Sequence, residues 1–200
     1  MATYGLVLAG GQSSRMGRDK ALLEWQGRPL FQHMQALLEQ AGVCRVFLNG
    51  AQCGEEALVD RIPGKGPMSG IDAVLPHVPD GSRLLVVPVD MPLLPAEAIA
   101  RLMDTDPAPD TPLHYDGFPL PWLLPVNGEL RRQLATALHS SDHRHYALRH
   151  LHQVLAGRKL PLPAPLAELF HNTNTPADWE SCKQIDAGTL PTGSGSAKET

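Results

Sequence analysis

Residues 6–20 bring together the residue types that bind phosphate groups. An apolar run ends at a glycine pair, and the residues that follow include Ser13, Ser14, Arg15, Arg18 and Lys20. Glycine lets the backbone approach a ligand closely because it has no Cβ, and arginine and lysine form charge-assisted hydrogen bonds with anions. The segment therefore predicts a phosphate-binding loop at the carboxyl end of a first strand, where open α/β sheets bind their ligands.

The spacing of this loop excludes two familiar phosphate-binding motifs. A Walker A loop ends in Gly-Lys-Ser or Gly-Lys-Thr, and Lys20 does not follow a glycine. The dinucleotide fingerprint Gly-x-Gly-x-x-Gly is absent because Gly10 and Gly11 are adjacent. What remains is Leu-Ala-Gly-Gly-x-Ser-x-Arg-Met-Gly-x-Asp-Lys at residues 8–20, which predicts a phosphate-binding loop of another kind.

Three further polar residues, Asn49, Asp60 and Asp90, follow predicted strands. An aspartate in the position of Asp60 is equally typical of a turn cap. Asp90 follows the most apolar run of the chain, residues 84–89, where an unpaired carboxylate would be costly. A divalent cation that bridges this carboxylate to phosphate oxygens would remove the cost, and oxygen ligands suit Mg²⁺. We therefore expect Asp90 to bind Mg²⁺.

The elements that must position these residues alternate between strand and helix. This alternation predicts an α/β fold with a mostly parallel central sheet and helices on both faces. Parallel strands that end at one edge would bring the loop, Asn49, Asp60 and Asp90 into one crevice. The predicted strands are residues 4–8, 43–48, 57–59 and 84–89, and the predicted helices are residues 29–41, about 70–77 and 96–103.

The second half of the chain is less regular. Residues 107–125 contain six prolines, which favours edge strands and turns over a central strand. Helices are predicted at residues 129–138, 144–156 and about 176–183, with a last short strand at 169–172. A cluster of histidines, which comprises His139, His143, His145, His150 and His152, fits a solvated helix face better than a metal site. We expect one domain over residues 1–185 and a disordered tail over 186–200.

Composition excludes several classes of function. With 17 basic and 21 acidic residues the net charge is −4, so no broad basic surface for nucleic acid is expected. No apolar run approaches the ~18 residues of a membrane span, and no secretory signal precedes the first strand. The three cysteines are scattered without a Cys-x-x-Cys pair, which favours a reducing compartment. These features predict a cytoplasmic enzyme.

The motifs, taken in order, resemble those of the molybdenum cofactor guanylyltransferases. The shared residues span about 4–183 and comprise Leu8-Ala-Gly-Gly, Arg15-Met-Gly17, Asp19-Lys20, Asn49, Asp60, Gly66-Pro-Met-Ser-Gly70, Pro88-Val-Asp-Met-Pro92 and Asn172-Thr-Asn-Thr-Pro176. The resemblance implies a Rossmann-like nucleotidyltransferase fold. It also implies transfer of GMP from GTP to the phosphate of molybdopterin, with release of pyrophosphate.

The resemblance also implies roles for single residues. GTP would be bound by Leu8, Ala9, Gly10, Gly11, Lys20, Asn49, Asp60 and Asp90. Arg15, Lys20 and Asp90 would be catalytic, and Asp90 with Asn174 would hold Mg²⁺. Further partners would be the proteins that insert molybdopterin and the molybdoenzymes that receive the product. One segment departs from the family pattern, because Phe118 replaces a polar residue in Asp116-Gly-Phe-Pro-Leu-Pro-Trp122.

Three other functions stay open at this point. A molybdopterin cytidylyltransferase resembles this chain, but its loop has Leu-Ala-Ala-Gly where this one has Leu-Ala-Gly-Gly, and the smaller residue favours a purine. Transfer to another phosphate is the second alternative, which the closing Asn-x-Asn-Thr-Pro segment disfavours. The third is a nucleotide-binding module without activity, and the presence of Lys20 and Asp90 argues against it.

Overall fold

The structure is a computed structural model that describes residues 1–10, 19–105 and 110–188. The strands of these residues are β1 (Thr3–Leu8), β2 (Glu24–Trp25), β3 (Arg28–Pro29), β4 (Val46–Asn49), β5 (Ser82–Pro88), β6 (Leu113–Tyr115), β7 (Trp122–Val126) and β8 (Arg158–Leu160). The α-helices are α1 (Leu30–Gln40), α2 (Pro67–Val74), α3 (Ala96–Asp104), α4 (Gly128–Leu138), α5 (Leu148–Val154), α6 (Ala164–Ala167) and α7 (Pro176–Asp186). Short 3₁₀ turns cover Lys20–Leu22, Ala51–Cys53 and Leu75–His77.

A six-stranded sheet in the order β4-β1-β5-β7-β6-β8 confirms the predicted α/β class. Strands β4, β1 and β5 are parallel, and β7 alone runs against its neighbours in this sheet. Successive residues of β1 and β5 face opposite sides, and each side is apolar. Helices α1, α3, α6 and α7 pack on one side, whereas α2, α4 and α5 pack on the other, as strands buried on both faces require.

One expectation for the proline-rich segment, residues 107–125, was wrong. This segment was predicted to supply edge strands, but β7 lies inside the sheet between β5 and β6, and all five of its residues are buried. Pro125 pairs with Arg83 beyond the last residue pair that β7 shares with β6. A missing N–H is tolerated at such a position, where the ladder on that side has ended.

Two other predicted strands are wrong. Residues 57–59 form only a bridge, in which Leu58 pairs with Asn49. Residues 169–172 are not a strand, and the edge of the sheet is β8, which lacks the apolar run that would reveal it. Helix α5 is shorter than predicted because Asp142 bonds the backbone and guanidinium of Arg144 and so holds a turn before it. Helix α7 reaches Asp186, and most of the predicted tail lies outside the described residues.

Candidate active site

A cleft of about 690 Å³ opens where the parallel strands β1, β4 and β5 end. The sheet register pairs Leu8 with both Asn49 and Pro88, so the three strand ends lie side by side. The cleft is lined by Leu8, Ala9, Gly10, Lys20, Asn49, Asp60, Gly64, Gly66, Pro67, Pro88, Val89, Asp90, Met91, Phe118, Pro119, Leu120, Leu148 and Asn172. The predicted crevice is therefore present and contains most of the predicted site residues.

Lys20 connects the two residues that were predicted to hold a metal. Its Nζ lies 3.4 Å from Asp90 Oδ2 and 2.9 Å from Asn174 Oδ1. The side chains of Lys20 and Asp90 are only 15% and 25% exposed, so water screens this ion pair weakly. These three residues are far apart in sequence, and their convergence places one positive charge beside two side-chain oxygen atoms.

Local structure fixes Lys20 at the start of a 3₁₀ turn. Asp19 caps this turn, since its Oδ1 accepts a hydrogen bond from the Ala21 N–H at 3.0 Å. Gln52 holds the adjacent end of β1 by donating to the carbonyl oxygen of Ala9 at 2.7 Å. The sequence analysis did not single out Gln52, because nothing local marks a glutamine that bonds a backbone 43 residues away.

Asp90 and Asn174 are held in place by the residue next to Asn174. Thr173 is fully buried, and its N–H and hydroxyl donate to the Asp90 carbonyl oxygen at 2.8 and 3.2 Å. Thr175 then begins α7 with a capping box that it forms with Asp178. The hydrogen bonds from Thr175 hold the pKa of Asp178 below its usual range. Asn174 is thus fixed between Asp90 and a helix cap.

Asn49 and Asp60 form a second polar pair that lines the cleft. Asn49 is only 3% exposed, and its Nδ2 donates to Asp60 Oδ1 at 3.0 Å and to the Leu58 carbonyl oxygen at 3.2 Å. A Cβ on Gly70 would lie 2.4 Å from Asn49 Oδ1, so only glycine lets α2 pack against this amide. Asn49, which was predicted to contact nucleotide, lines the cleft, and its described hydrogen bonds orient Asp60.

Gly10 also packs against Asn49. A Cβ on Gly10 would lie 3.2 Å from Asn49 Oδ1, and its backbone φ is not in the left-handed region. The sequence analysis expected this glycine to leave room for a purine. The nearest atoms to an added methyl group are those of Asn49, so Gly10 also leaves room for that amide.

The other end of the cleft is an apolar wall made of Phe118, Pro119, Leu120 and Leu148. The first three lie between β6 and β7, and Leu148 begins α5. The Phe118 ring packs edge-on against Phe170, with centroids 4.8 Å apart. Asp90 follows β5, and strands β4 and β1 lie on one side of β5, whereas the wall lies on the other side, next to β7 and β6. The cleft therefore has a polar half at the β4–β1 end and an apolar half at the wall.

The predicted residues Leu8, Ala9, Gly10, Lys20, Asn49, Asp60 and Asp90 all line the cleft. Asn174 reaches the same place through its contact with Lys20. Gly11 and Arg15 lie outside the described residues. Sequence reasoning missed Thr173 and Leu148, whose positions depend on contacts between distant segments.

Comparison with known proteins identifies the family. The MobA-like NTP transferase domain matches residues 5–157. A molybdenum cofactor guanylyltransferase from Xanthomonas euvesicatoria pv. vesicatoria is 39% identical over 88% of this chain and 91% of its own. The chain belongs to the molybdenum cofactor guanylyltransferase family. A second relative of this name, from Rhizobium johnstonii, is 34% identical over 87% of this chain and 88% of its own.

Solved structures agree with this assignment at the level of the fold. A nucleotidyl transferase from Methanothermobacter superposes with a TM-score of 0.69 at 16% identity, over 94% of this chain and 99% of its own. Molybdopterin-guanine dinucleotide biosynthesis protein A from Archaeoglobus fulgidus gives a TM-score of 0.64 at 19% identity, over 92% of this chain and 99% of its own. This guanylyltransferase family member is therefore a nucleotidyltransferase with a Rossmann-like fold.

The oxygen ligands of this guanylyltransferase site suit a divalent cation. The described residues contain no group of three or more His, Cys, Asp or Glu side chains that would enclose a metal ion by themselves. Mg²⁺ is usually bound by one or two carboxylates together with substrate phosphates and water. Asp90 Oδ2 and Asn174 Oδ1, which converge on one cationic nitrogen, fit that pattern. Over the described ranges, no helix has the length and apolar character to cross a membrane.

Proposed function

We propose that this enzyme transfers GMP from GTP to the terminal phosphate of molybdopterin and releases pyrophosphate. The observation that carries the proposal is the convergence of Lys20, Asp90 and Asn174 in a cleft at the ends of β1, β4 and β5. A relative that shares most of the chain bears the name of this activity. We place the reaction in the cytoplasm, with transient contacts to the proteins that insert molybdopterin and to the molybdoenzymes that receive the product.

The reaction requires positioning and charge neutralisation more than covalent help from the protein. An oxygen of the molybdopterin phosphate forms a bond to the α-phosphorus of GTP, while the bond from that phosphorus to the pyrophosphate oxygen breaks. The attacking phosphate is already ionised at neutral pH, so no general base is needed. Much of the rate enhancement comes from holding the attacking phosphate close to the α-phosphorus and in line with the pyrophosphate that leaves.

The residues of the cleft divide this work. Asp90 and Asn174 would hold Mg²⁺, which neutralises charge on the α-phosphate when bound. Lys20 would contact the triphosphate and, with Arg15, stabilise the negative charge that develops on pyrophosphate. Leu8, Ala9, Gly10 and Gly11 would border the guanosine. The apolar wall would accept molybdopterin on the other side of Asp90.

Measuring which nucleotide is consumed tests the proposed function. The purified enzyme is incubated with Mg²⁺ and molybdopterin and with each of GTP, CTP, ATP and UTP, and pyrophosphate release is followed. We expect pyrophosphate release with GTP, and we expect it only when molybdopterin is present. Preference for CTP would identify a cytidylyltransferase, and GTP-dependent release with another phosphate acceptor but not with molybdopterin would identify a different transferase.

Asp60 is the residue that we expect to recognise guanine. It is half-buried, it lines the cleft, and its Oδ1 accepts a hydrogen bond from Asn49. A carboxylate accepts two hydrogen bonds in parallel, and guanine offers its N1–H and its 2-amino group on one edge. Inosine lacks the 2-amino group, so a comparison of GTP with inosine triphosphate (ITP) measures the hydrogen bond from that group alone, which is half of this contact.

The replacement Asp60→Ala should remove most of the preference for GTP over ITP. The GTP-to-ITP ratio reports only the hydrogen bond from the 2-amino group; one hydrogen bond to a charged group contributes about 1.5–3 kcal/mol, which predicts a ratio change of roughly 10- to 150-fold. The measurement is kcat/KM for both nucleotides with saturating molybdopterin. Glu56→Ala, which removes an exposed carboxylate from the same loop, is the control. An unchanged GTP-to-ITP ratio in Asp60→Ala would assign base recognition elsewhere.

A further inference from the structure

A cluster of three rings lies directly behind the apolar wall. His152 stacks on Trp122 with ring centroids 3.9 Å apart, and it meets the edge of His114 at 3.9 Å. His114 and Trp122 are buried, at 6% and 0% exposure. The sequence analysis placed His152 on a solvated helix face. The structure corrects this, because its ring is packed between β6, β7 and α5.

His114 holds the turn that leads into the wall. Its Nδ1 lies 3.0 Å from the Tyr115 carbonyl oxygen and 3.1 Å from the Phe118 carbonyl oxygen. Carbonyl oxygens only accept hydrogen bonds, so Nδ1 carries the hydrogen and donates to both. Phe118 is itself part of the wall, and Pro119 and Leu120 follow it directly. Loss of the hydrogen bonds that His114 donates would therefore affect the positions of these three wall residues first.

His152 connects the same turn to α5. It lies four residues after Leu148, on the same side of this helix, and Leu148 is the one wall residue that does not come from the 118–120 segment. Trp122, against which His152 stacks, is the first residue of β7 and follows that segment. The cluster thus joins the two separate pieces of chain that form the wall.

The cluster contains groups that lower the stability of the folded state, so stability alone does not explain it. Trp122 Nε1 and His152 Nε2 are buried, and neither has a hydrogen-bond partner among the described residues. A buried polar atom without a partner destabilises the folded state relative to an apolar ring of the same shape. An arrangement that retains two such rings behind a binding surface is more easily explained by what it positions.

The surroundings of His152 disfavour its charged form. Burial lowers the pKa of His152 to about 4, and the neighbouring His114 and Lys159 act in the same direction, whereas the Pro119 backbone opposes them. The groups that face this ring are His114 from β6, Trp122 from β7 and Lys159 from β8, and Lys159 Nζ is paired with Asp116 at 3.2 Å. None of the groups that face it is a carboxylate that would stabilise a charged imidazole.

We propose that His114 and His152 are positioning residues that hold the apolar wall in the shape that binds molybdopterin. Among the described residues, no hydrogen bond or ring contact joins them to Lys20, Asn49, Asp60, Asp90 or Asn174. The proposal rests on the proposed function for the identity of the acceptor. It predicts that changes in the cluster weaken acceptor binding and leave nucleotide binding intact.

The first test compares His114→Leu with His114→Asn. Leucine removes the donor, whereas the asparagine amide lies near the position of Nδ1 and retains a donor toward the Tyr115 and Phe118 carbonyl oxygens. We expect His114→Leu to raise the KM for molybdopterin roughly tenfold, the effect of one net hydrogen bond. The KM for GTP should stay within about twofold, and His114→Asn should recover most of the loss. Equal effects on both substrates would overturn the proposal, and His139→Gln serves as an exposed-histidine control.

The second test needs no acceptor. Amide hydrogen exchange of residues 116–122 should be faster in His114→Leu than in the wild type, while exchange in β1 and β5 stays unchanged. If residues 116–122 exchange at the wild-type rate, the positioning role is wrong whatever the acceptor is. If exchange rises as expected but the wild type does not use molybdopterin, the proposed function fails and the positioning role stands.

A third test uses His152→Phe, which keeps the stacking on Trp122 and removes the titratable nitrogen atoms. In the wild type, protonation of His152 as the pH falls through about 4 should speed exchange of residues 116–122, since burial disfavours the charged ring. In His152→Phe this acid-dependent increase should vanish. An increase of the same size in both proteins would show that the cluster does not hold the wall.

Discussion

Asp90→Ala is expected to lower kcat by ~10²–10³, which is the typical loss when a group that stabilises transition-state charge is removed. Asp90 supplies the carboxylate of the proposed Mg²⁺ site, and it lies at the end of the innermost parallel strand, next to Lys20. Its backbone carbonyl oxygen, which Thr173 holds, is unaffected by the replacement. The fold should therefore persist, and the loss should fall on turnover.

Three measurements separate this effect from damage to the fold. Steady-state kinetics in Mg²⁺ give kcat, thermal unfolding reports stability, and titration with Mn²⁺ in the presence of GTP reports cation binding. Asp104→Ala, which removes an exposed carboxylate from the end of α3, is the matched control and should behave like the wild type in all three. Wild-type turnover by Asp90→Ala would exclude Asp90 as a metal ligand.

The parts of this site that the sequence predicts are those that single strands position. β1 and β5 are continuous apolar runs, and parallel strands end at a common edge. From these two facts alone, the glycine loop, Asn49 and Asp90 could be assigned to one crevice. The register of Leu8 with Asn49 and Pro88 confirms this reasoning at the level of residue pairs.

The parts that the sequence did not predict depend on contacts between distant segments. Thr173 reaches Asp90 across 83 residues, and no local pattern shows that a buried threonine will bond that carbonyl oxygen. The apolar wall combines residues 118–120 with Leu148, which belong to different elements. Local signals were also misleading. The prolines around β7 favour an edge strand, but β7 is an inner strand, and its own Pro125 lies beyond the last residue pair that β7 shares with β6.

The histidine cluster illustrates the same limit. His145, His150 and His152 are neighbours in sequence, yet of these three only His152 has ring contacts with the sheet, to His114 and Trp122. Helical spacing alone could not distinguish them, because the partners of His152 come from β6 and β7. The packing of α5 on the sheet decides which histidine makes these contacts.

Lys20→Met is expected to weaken GTP binding by roughly 10- to 150-fold while guanosine binding hardly changes. The ammonium group lies beside both proposed metal ligands, where the triphosphate must lie for Mg²⁺ to bridge it. A hydrogen bond between charged groups contributes about 1.5–3 kcal/mol, and guanosine has no phosphate with which to form one. Isothermal titration with GTP and with guanosine measures the two affinities. Lys183→Met, on the surface of α7, is the matched control.

The same variant should respond to metal ions in the opposite direction. Lys20 Nζ contacts Asp90 Oδ2 and Asn174 Oδ1, the two oxygens that would ligate the cation, and so its charge repels a cation approaching them. Without nucleotide, Lys20→Met should therefore bind Mn²⁺ more tightly than the wild type, although it binds GTP more weakly. Equal losses of GTP and guanosine affinity, together with unchanged Mn²⁺ binding, would show that Lys20 stabilises the fold of the 20–22 turn and does not bind phosphate.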